Sequence, residues 1–324
     1  MSVFDSRTNF KPFDYPEVEG YRDAINNAFW LVTKWDFAAD VQDYKVNMTL
    51  AEQTALKNSL LAISQVEVDV KKFWGSLGTR FPRAEFDQVG TTFAESEIRH
   101  ANAYSELLQV LGFNADFQTL SDKPAIQGRV AYLKKHIRNS ATASNEKYAL
   151  TLTLFSLLVE NVSLFSQFLV VKSFNKYRNI LKDVDNVIQD TAKEERVHAM
   201  FGTYLVNLIK AESPEWFDTE FYEAVTKAAK AAYTAECAII DWIFEEGDLP
   251  YLTKDLVKEF VKYRIDESIV SVGGTPIFGE YSEDLEELRW FDEETYVSVQ
   301  VDFFHKKSVE YTKHSRSYKA EDLF

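Results

Sequence analysis

Apolar residues recur along this chain every three or four positions, over long stretches with few interruptions. Leu56, Leu60, Ile63, Val70 and Trp74 form one such series. Phe93, Leu107 and Leu111 belong to a second, Leu157, Leu164, Phe168 and Val171 to a third, and Ile188, Leu205 and Ile209 to a fourth. A 4-3 spacing puts each series on one face of a helix and marks that face as buried. The pattern predicts helices near residues 16–33, 49–77, 84–112, 123–138, 146–174, 178–210, 217–246, 253–270 and 293–312, joined by short connections. The longest irregular stretch is 271–292. Its Gly273-Gly274 pair lacks the following Lys-Ser/Thr of a phosphate loop and follows no strand.

The series are broken at matching places. Between Ile63 and Val70 the missing position is Glu67, while Asp69 lies about 200° further round the helix and points away. In the second series the intervening places are Glu97, His100 and Tyr104, at i, i+3 and i+7. The third series surrounds Glu160, and the fourth shares its stripe with Glu195 and His198. Read in order, the chain carries Glu, then Glu-x-x-His, then Glu, then Glu-x-x-His, each on a core-facing stripe. Residues 148–171 are apolar enough to suggest a membrane span, but Glu160-Asn161 sits at their centre. A charge at mid-bilayer costs about 2.5–3.5 kcal/mol even on lenient scales, so a helix buried on all sides is expected.

Composition narrows the class. The 324 residues are 46% hydrophobic and contain only 11 Gly and 7 Pro, which favours one large helical domain over a strand-and-turn fold. The net charge of −15, with no basic cluster, argues against nucleic acid and anionic membranes as partners. Cys237 is the only cysteine, so no internal disulfide can form, and the N-terminus lacks a signal pattern. A cytoplasmic location is expected.

Four carboxylates meeting in a core repel one another and each loses several kcal/mol of hydration. Two divalent cations would cancel that charge. A lone Glu-x-x-His is ordinarily a solvated helix face, and a lone buried Glu ordinarily pairs with an Arg. Arg99 and Arg196 are close in sequence but point off the stripes. The doubled pattern is what exceeds these bland readings. Oxygen ligands with one imidazole per ion suit manganese or iron, and the lack of thiolates argues against structural zinc. A Glu from each of two helices and Glu-x-x-His from two others is the known layout of ferritin-like dinuclear carboxylate proteins, used here as a template.

Over nearly its whole length the chain resembles the small, radical-generating subunit of class I ribonucleotide reductase. The resemblance rests on Glu67 about thirty residues before E-x-x-H-x-x-x-Y (Glu97, His100, Tyr104), on the repeat Glu160 and Glu195-x-x-His198, and on the near C-terminal DFFHKKSVEY and final AEDLF. It implies an all-α ferritin-like bundle with a dinuclear centre held by Glu67, Glu97, His100, Glu160, Glu195 and His198. It further implies a tyrosyl radical site at Tyr104, a tryptophan near the metals at Trp35 in TKWDF, and a radical-transfer tyrosine at Tyr311. Glu194 stands where an Asp commonly links a metal His to that tryptophan, and Glu67 stands where the iron–tyrosyl branch has Asp. The second substitution tilts the metal expectation toward manganese.

The expected function is to react with an oxygen species, store one oxidising equivalent and pass it to a large subunit that makes deoxyribonucleotides. The resemblance implies a homodimer. Residues 1–312 are expected to form the domain and 313–324, KHSRSYKAEDLF, a flexible tail docking on the large subunit. Whether Tyr104 or the metals hold the oxidising equivalent stays open at this stage. A free-standing dinuclear oxidase or hydroxylase and a metal-storage protein are the competing readings, and neither gives the tail a task.

Overall fold

The computed structural model describes residues 2–67, 70–137 and 143–295, the side chains of 132–137 excepted. Among the described residues every regular element is helical, apart from one isolated bridge between Leu249 and Leu252. Ten segments carry the fold: α1 (Glu19–Asn27), α2 (Leu50–Val66), α3 (Val70–Gly75), α4 (Ala84–Leu111), α5 (Pro124–Ile137), α6 (Asn145–Leu154), α7 (Phe165–Arg178), α8 (Lys182–Glu212), α9 (Thr219–Ile243) and α10 (Lys254–Ser271). Between α6 and α7 the chain runs as π-helix from Phe155 to Ser163. This is the all-α fold expected from the periodicity, in the ferritin-like form that the resemblance implies.

Local chemistry sets the helix ends. Thr49 caps α2 in a reciprocal box: its side chain accepts from the Glu52 amide, and Glu52 accepts from the Thr49 amide at 2.8 Å. Gly112, at φ 84°, ends α4 in the left-handed conformation that glycine adopts without penalty. The reversal from α7 into α8 takes only residues 179–181. There Asn179 and the fully buried Leu181 both have positive φ, a costly conformation for a side chain such as leucine. Two acids from the 38–47 region hold it: Asp43 accepts from the Leu181 amide at 3.1 Å and Asp40 from the Val184 amide at 2.6 Å.

Two expected helices are divided. The span 49–77 becomes α2 and α3, with Glu67 at the C-terminal cap of α2 and residues 68–69 outside the described residues. The span 146–174 contains the π stretch. There the Asn161 side-chain amide donates to the Ser156 carbonyl and the Ser163 hydroxyl to that of Leu158, each five residues back. A wide π turn shifts every later side chain relative to an α-helical register and is frequent at functional sites. The helix expected at 293–312 lies almost wholly outside the described residues, as does the tail.

The core is continuous. The members of all four apolar series are buried, each at 6% exposure or less. The stretch 145–178 is, among the described residues, the one helix long and apolar enough to cross a membrane, and it is enclosed by the rest of the fold. α4 packs on α1, α2 and α3, while α8 packs on the π stretch and α7. Arg129, fully buried on α5, braces this assembly. It donates to the Ala62 carbonyl of α2 at 3.0 Å, to the Ser163 carbonyl at 2.9 Å, and to Glu236 of α9. A buried guanidinium so fully bonded repays its lost hydration, and it ties together the two segments that carry Glu67 and Glu160.

Candidate metal centre

α2, α4, the π stretch and α8 each present acid or imidazole side chains to one point inside the bundle. Glu67, Glu97, His100, Glu160, Glu195 and His198 are all exposed by 1% or less. They form two overlapping groups, Glu67–Glu97–His100–Glu195 and Glu97–Glu160–Glu195–His198. Within each group one possible ligand atom per residue lies within 4.8 Å of every other. Glu97 and Glu195 belong to both groups, so each could serve both ions. The Nδ1 of His100 lies 2.9 Å from Glu195 Oε1, 3.5 Å from Glu97 Oε2 and 4.0 Å from Glu67 Oε2. The Nδ1 of His198 lies 3.0 Å from Glu97 Oε1, 3.5 Å from Glu195 Oε2 and 3.6 Å from Glu160 Oε2.

The outer faces of both histidines and of Glu160 are held. His100 Nε2 meets Glu194 Oε2 at 2.7 Å, and Glu194 in turn accepts from Arg99 Nη1 at 3.0 Å. His198 Nε2 meets Ser96 Oγ at 3.0 Å, and that hydroxyl donates to the Phe93 carbonyl. Trp74 Nε1 donates to Glu160 Oε1 at 2.9 Å and leaves the other oxygen turned inward. With its outer nitrogen occupied, each imidazole points Nδ1 at the cluster, as metal-binding histidines do. No hydrogen bond reaches His100 Nδ1, His198 Nδ1, either oxygen of Glu67 and Glu195, Glu97 Oε1 or Glu160 Oε2. Buried polar atoms without partners are costly, and these converge on one point. The donor set fits two hard or borderline divalent cations.

The electrostatics agree. Burial, then the charge of Glu97, pushes the Glu67 carboxyl well above its ordinary range. Burial, then Glu195, does the same to Glu160. Burial also works to raise Glu195, but the adjacent His100 and His198 rings hold it well below. Both imidazoles are pushed up: burial opposes their charge, yet the bond to Glu194 and the nearby Glu195 carboxylate for His100, and the nearby Glu160 and Glu195 carboxylates for His198, outweigh it. Protons are thus drawn into the cluster to offset its carboxylates. Two divalent cations would take the protons' place, since ligands bind metal in their deprotonated forms.

Tyr104 lies on the same stripe of α4, 1% exposed. Burial, then the charge of Glu67, pushes its phenol far above the usual range, so it stays protonated beside Thr191. The tryptophan stacked on the site is not the expected one. Trp30, buried, lies 6.1 Å from the His100 ring at 18°, whereas Trp35 packs edge-on against Trp30 at 5.5 Å and under Lys34. α1 ends at Asn27, so Trp30 falls in a turn that folds back over α4 rather than in the helix expected to 33. Arg99 does point off the cluster, but it is buried and serves Glu194 rather than solvent. Trp74, Ser96, Arg99 and Trp30 are the members that sequence reasoning missed. Asp69 and Tyr311 lie outside the described residues.

Close packing fixes the spacing of α8 from the π stretch. A Cβ placed on Gly202, one turn beyond His198, would sit 2.2 Å from Ser156 Oγ. Gly202→Ala is therefore expected to destabilise the fold by about 1–3 kcal/mol and to lower metal content in the surviving folded protein. Thermal unfolding and metal analysis of the same sample check both.

A family model described as "Ribonucleotide reductase, small chain" matches residues 7–287. A probable ribonucleoside-diphosphate reductase small subunit of Invertebrate iridescent virus 3 is 26% identical over 330 residues, covering 97% of this chain and 87% of the viral one. Among solved structures, the ribonucleotide reductase R2 subunit from Clostridium botulinum superposes with a TM-score of 0.81 at 14% identity, covering 91% of this chain and 94% of that one. An R2-like ligand-binding oxidase with a reconstituted Mn/Fe cofactor gives 0.69 at 19% identity, covering 81% and 95%. At these identities the structures speak for the fold alone.

Proposed function

Because this chain belongs to the ribonucleotide reductase small-chain family, we propose that its six buried carboxylate and imidazole groups hold two metal ions serving a partner large subunit. The chain is the small subunit of a ribonucleoside-diphosphate reductase, an oxidoreductase that works with that subunit. One observation carries the metal assignment: two four-residue groups share Glu97 and Glu195, with both histidines turned Nδ1 inward.

In this reading Glu67, Glu97, His100 and Glu195 would hold one ion and Glu97, Glu160, Glu195 and His198 the other, Glu97 and Glu195 being common to both groups. Bound metal would supply the redox chemistry by which one oxidising equivalent is stored. The protein side of the mechanism is orientation and exclusion. Glu194 fixes the His100 ring and Ser96 the His198 ring, so neither can rotate away from its ion. Trp74 holds Glu160 by one oxygen and frees the other. Phe93, fully buried with its ring 4.2 Å from that of His198, helps keep bulk water from the site. Trp30, Glu194 and His100 form a bonded or stacked route toward the surface, with Trp35 beyond Trp30. Tyr311 is the proposed relay in the segment that reaches the large subunit. The protein is proposed to act as a homodimer in the cytoplasm, in keeping with its lone cysteine.

The ions are proposed to be manganese or iron, with manganese favoured by Glu67 at the first acid position. Metal analysis with electron paramagnetic resonance, on protein from iron-grown and manganese-grown cells, tests this. A spin-coupled pair of manganese ions is expected. Activation of metal-free protein by iron and oxygen alone, and never by manganese, would overturn the preference.

Tyr104→Phe tests where the oxidising equivalent is kept. The variant should bind metal as the wild type does, because only a hydroxyl outside the ligand set is lost. Turnover with the large subunit disappears if the phenol carries the radical and persists if the metals do.

A further inference from the structure

A column of aromatic rings runs from His198 toward the surface, apart from the Trp30 stack on His100. Trp74 lies 5.9 Å from the His198 ring and is bonded to Glu160. Phe201 follows at 6.0 Å from Trp74, Tyr21 at 5.1 Å from Phe201, and Tyr204 at 5.9 Å from Tyr21. Each step is ring-to-ring contact. Trp74 and Phe201 are fully buried, whereas Tyr21 and Tyr204 are half-buried and line a 440 Å³ cleft. The Tyr204 hydroxyl donates to Glu17 Oε1 at 2.5 Å.

Core filling accounts for Phe201 but not for the order of the side chains. The inner end is an indole bound to one of the proposed metal ligands. The outer end is a pair of phenols, one of them on a carboxylate. An oxidised phenol must lose its proton, and a carboxylate already hydrogen-bonded to it is the group that can take it.

We propose that Trp74, Phe201, Tyr21 and Tyr204 form an electron-entry path by which a reductant at the surface returns the oxidised centre to its reduced state. The proposal rests on the function given above, which supplies the oxidising equivalent. Trp74 gives one electron to the centre and keeps its indole proton. Tyr204, with Tyr21 and Phe201 between, refills Trp74: the phenol loses one electron, its O–H bond breaks, and the proton passes to the Glu17 carboxylate. The phenoxyl then takes one electron from a small one-electron donor in the cleft, and the proton returns from Glu17. The path is distinct from forward transfer to the large subunit, which leaves from His100.

The test uses the full-length, metal-loaded, oxidised protein with ascorbate as donor. Decay of the oxidising equivalent is followed by absorbance and electron paramagnetic resonance. Tyr204→Phe and Tyr21→Phe keep the rings and the packing. Each is expected to slow the ascorbate-driven decay by about tenfold or more, with metal content unchanged. Glu17→Gln should also slow it and should reduce the solvent deuterium isotope effect, which a packing role would not alter. Wild-type decay rates in all three variants would overturn the path and leave the proposed function standing. If wild-type protein stores no oxidising equivalent at all, the function itself is contradicted and the path falls with it.

Discussion

Glu160→Ala should reduce the metal content of the protein from about two ions per chain to about one or fewer. Glu160 supplies a carboxylate to only one of the two groups, through the oxygen that Trp74 leaves free. Removing it takes away one of four negative charges and opens a gap beside the fully buried His198. It also strands the Trp74 indole N–H inside the core, a penalty of about 1–3 kcal/mol. The second ion would then be held by His198 and by the two shared acids alone. Glu160→Gln separates charge from shape, because it keeps the side-chain volume and an acceptor for Trp74. If metal is lost in the Gln variant too, charge is the cause. Asp69→Ala is the control expected to leave metal content unchanged, since the helical spacing read from the sequence sets it about 200° from Glu67. Metal analysis after gel filtration decides each case. Loss of metal from the Asp69 variant together with retention in Glu67→Ala would show that the ligand register is misassigned.

Truncation after Lys313 is expected to weaken binding to the large subunit by about a hundredfold or more while leaving metal content and folding unchanged. Residues 313–324 hold too little apolar surface to fold alone. Leu323 and Phe324 are the proposed apolar anchors, and Glu321 and Asp322 would add charge that steers docking. Tyr311→Phe should bind the large subunit normally and fail in turnover. Surface plasmon resonance with the immobilised large subunit reads the first effect, and a deoxyribonucleotide assay the second. Full turnover by the truncated chain would refute the docking role. Full turnover by Tyr311→Phe would move the relay to Tyr318 or elsewhere.

The six proposed ligands were legible in the sequence because each replaces an apolar residue on an otherwise apolar stripe. Burial converts such an interruption into a demand for charge compensation, and that demand needs no tertiary information. The groups that hold the ligands from behind were not legible. Ser96 is one residue from Glu97 and reads as an ordinary helical serine, and only the packing of α4 on α8 brings it to His198, 102 positions away. Trp74 reads as a member of its own apolar series, and its bond to Glu160 spans 86 positions. The π stretch escaped notice because its apolar residues face the core on every side, so no periodicity marks the change from α to π register. Trp30 was passed over for Trp35 because the first helix stops at Asn27, earlier than its apolar pattern suggests. In each case the missing information is a contact across the bundle, whereas the ligands themselves follow from burial along single helices.

Deoxyribonucleotide formation by the cognate large subunit tests the central claim most directly. The metal-loaded chain is added to the large subunit and a ribonucleoside diphosphate, and product is measured with each component omitted in turn. The account predicts product only when the metal-loaded chain and the large subunit are both present, and none after the metal is removed by chelation. Equal product from metal-free chain, or from the large subunit alone, would contradict it.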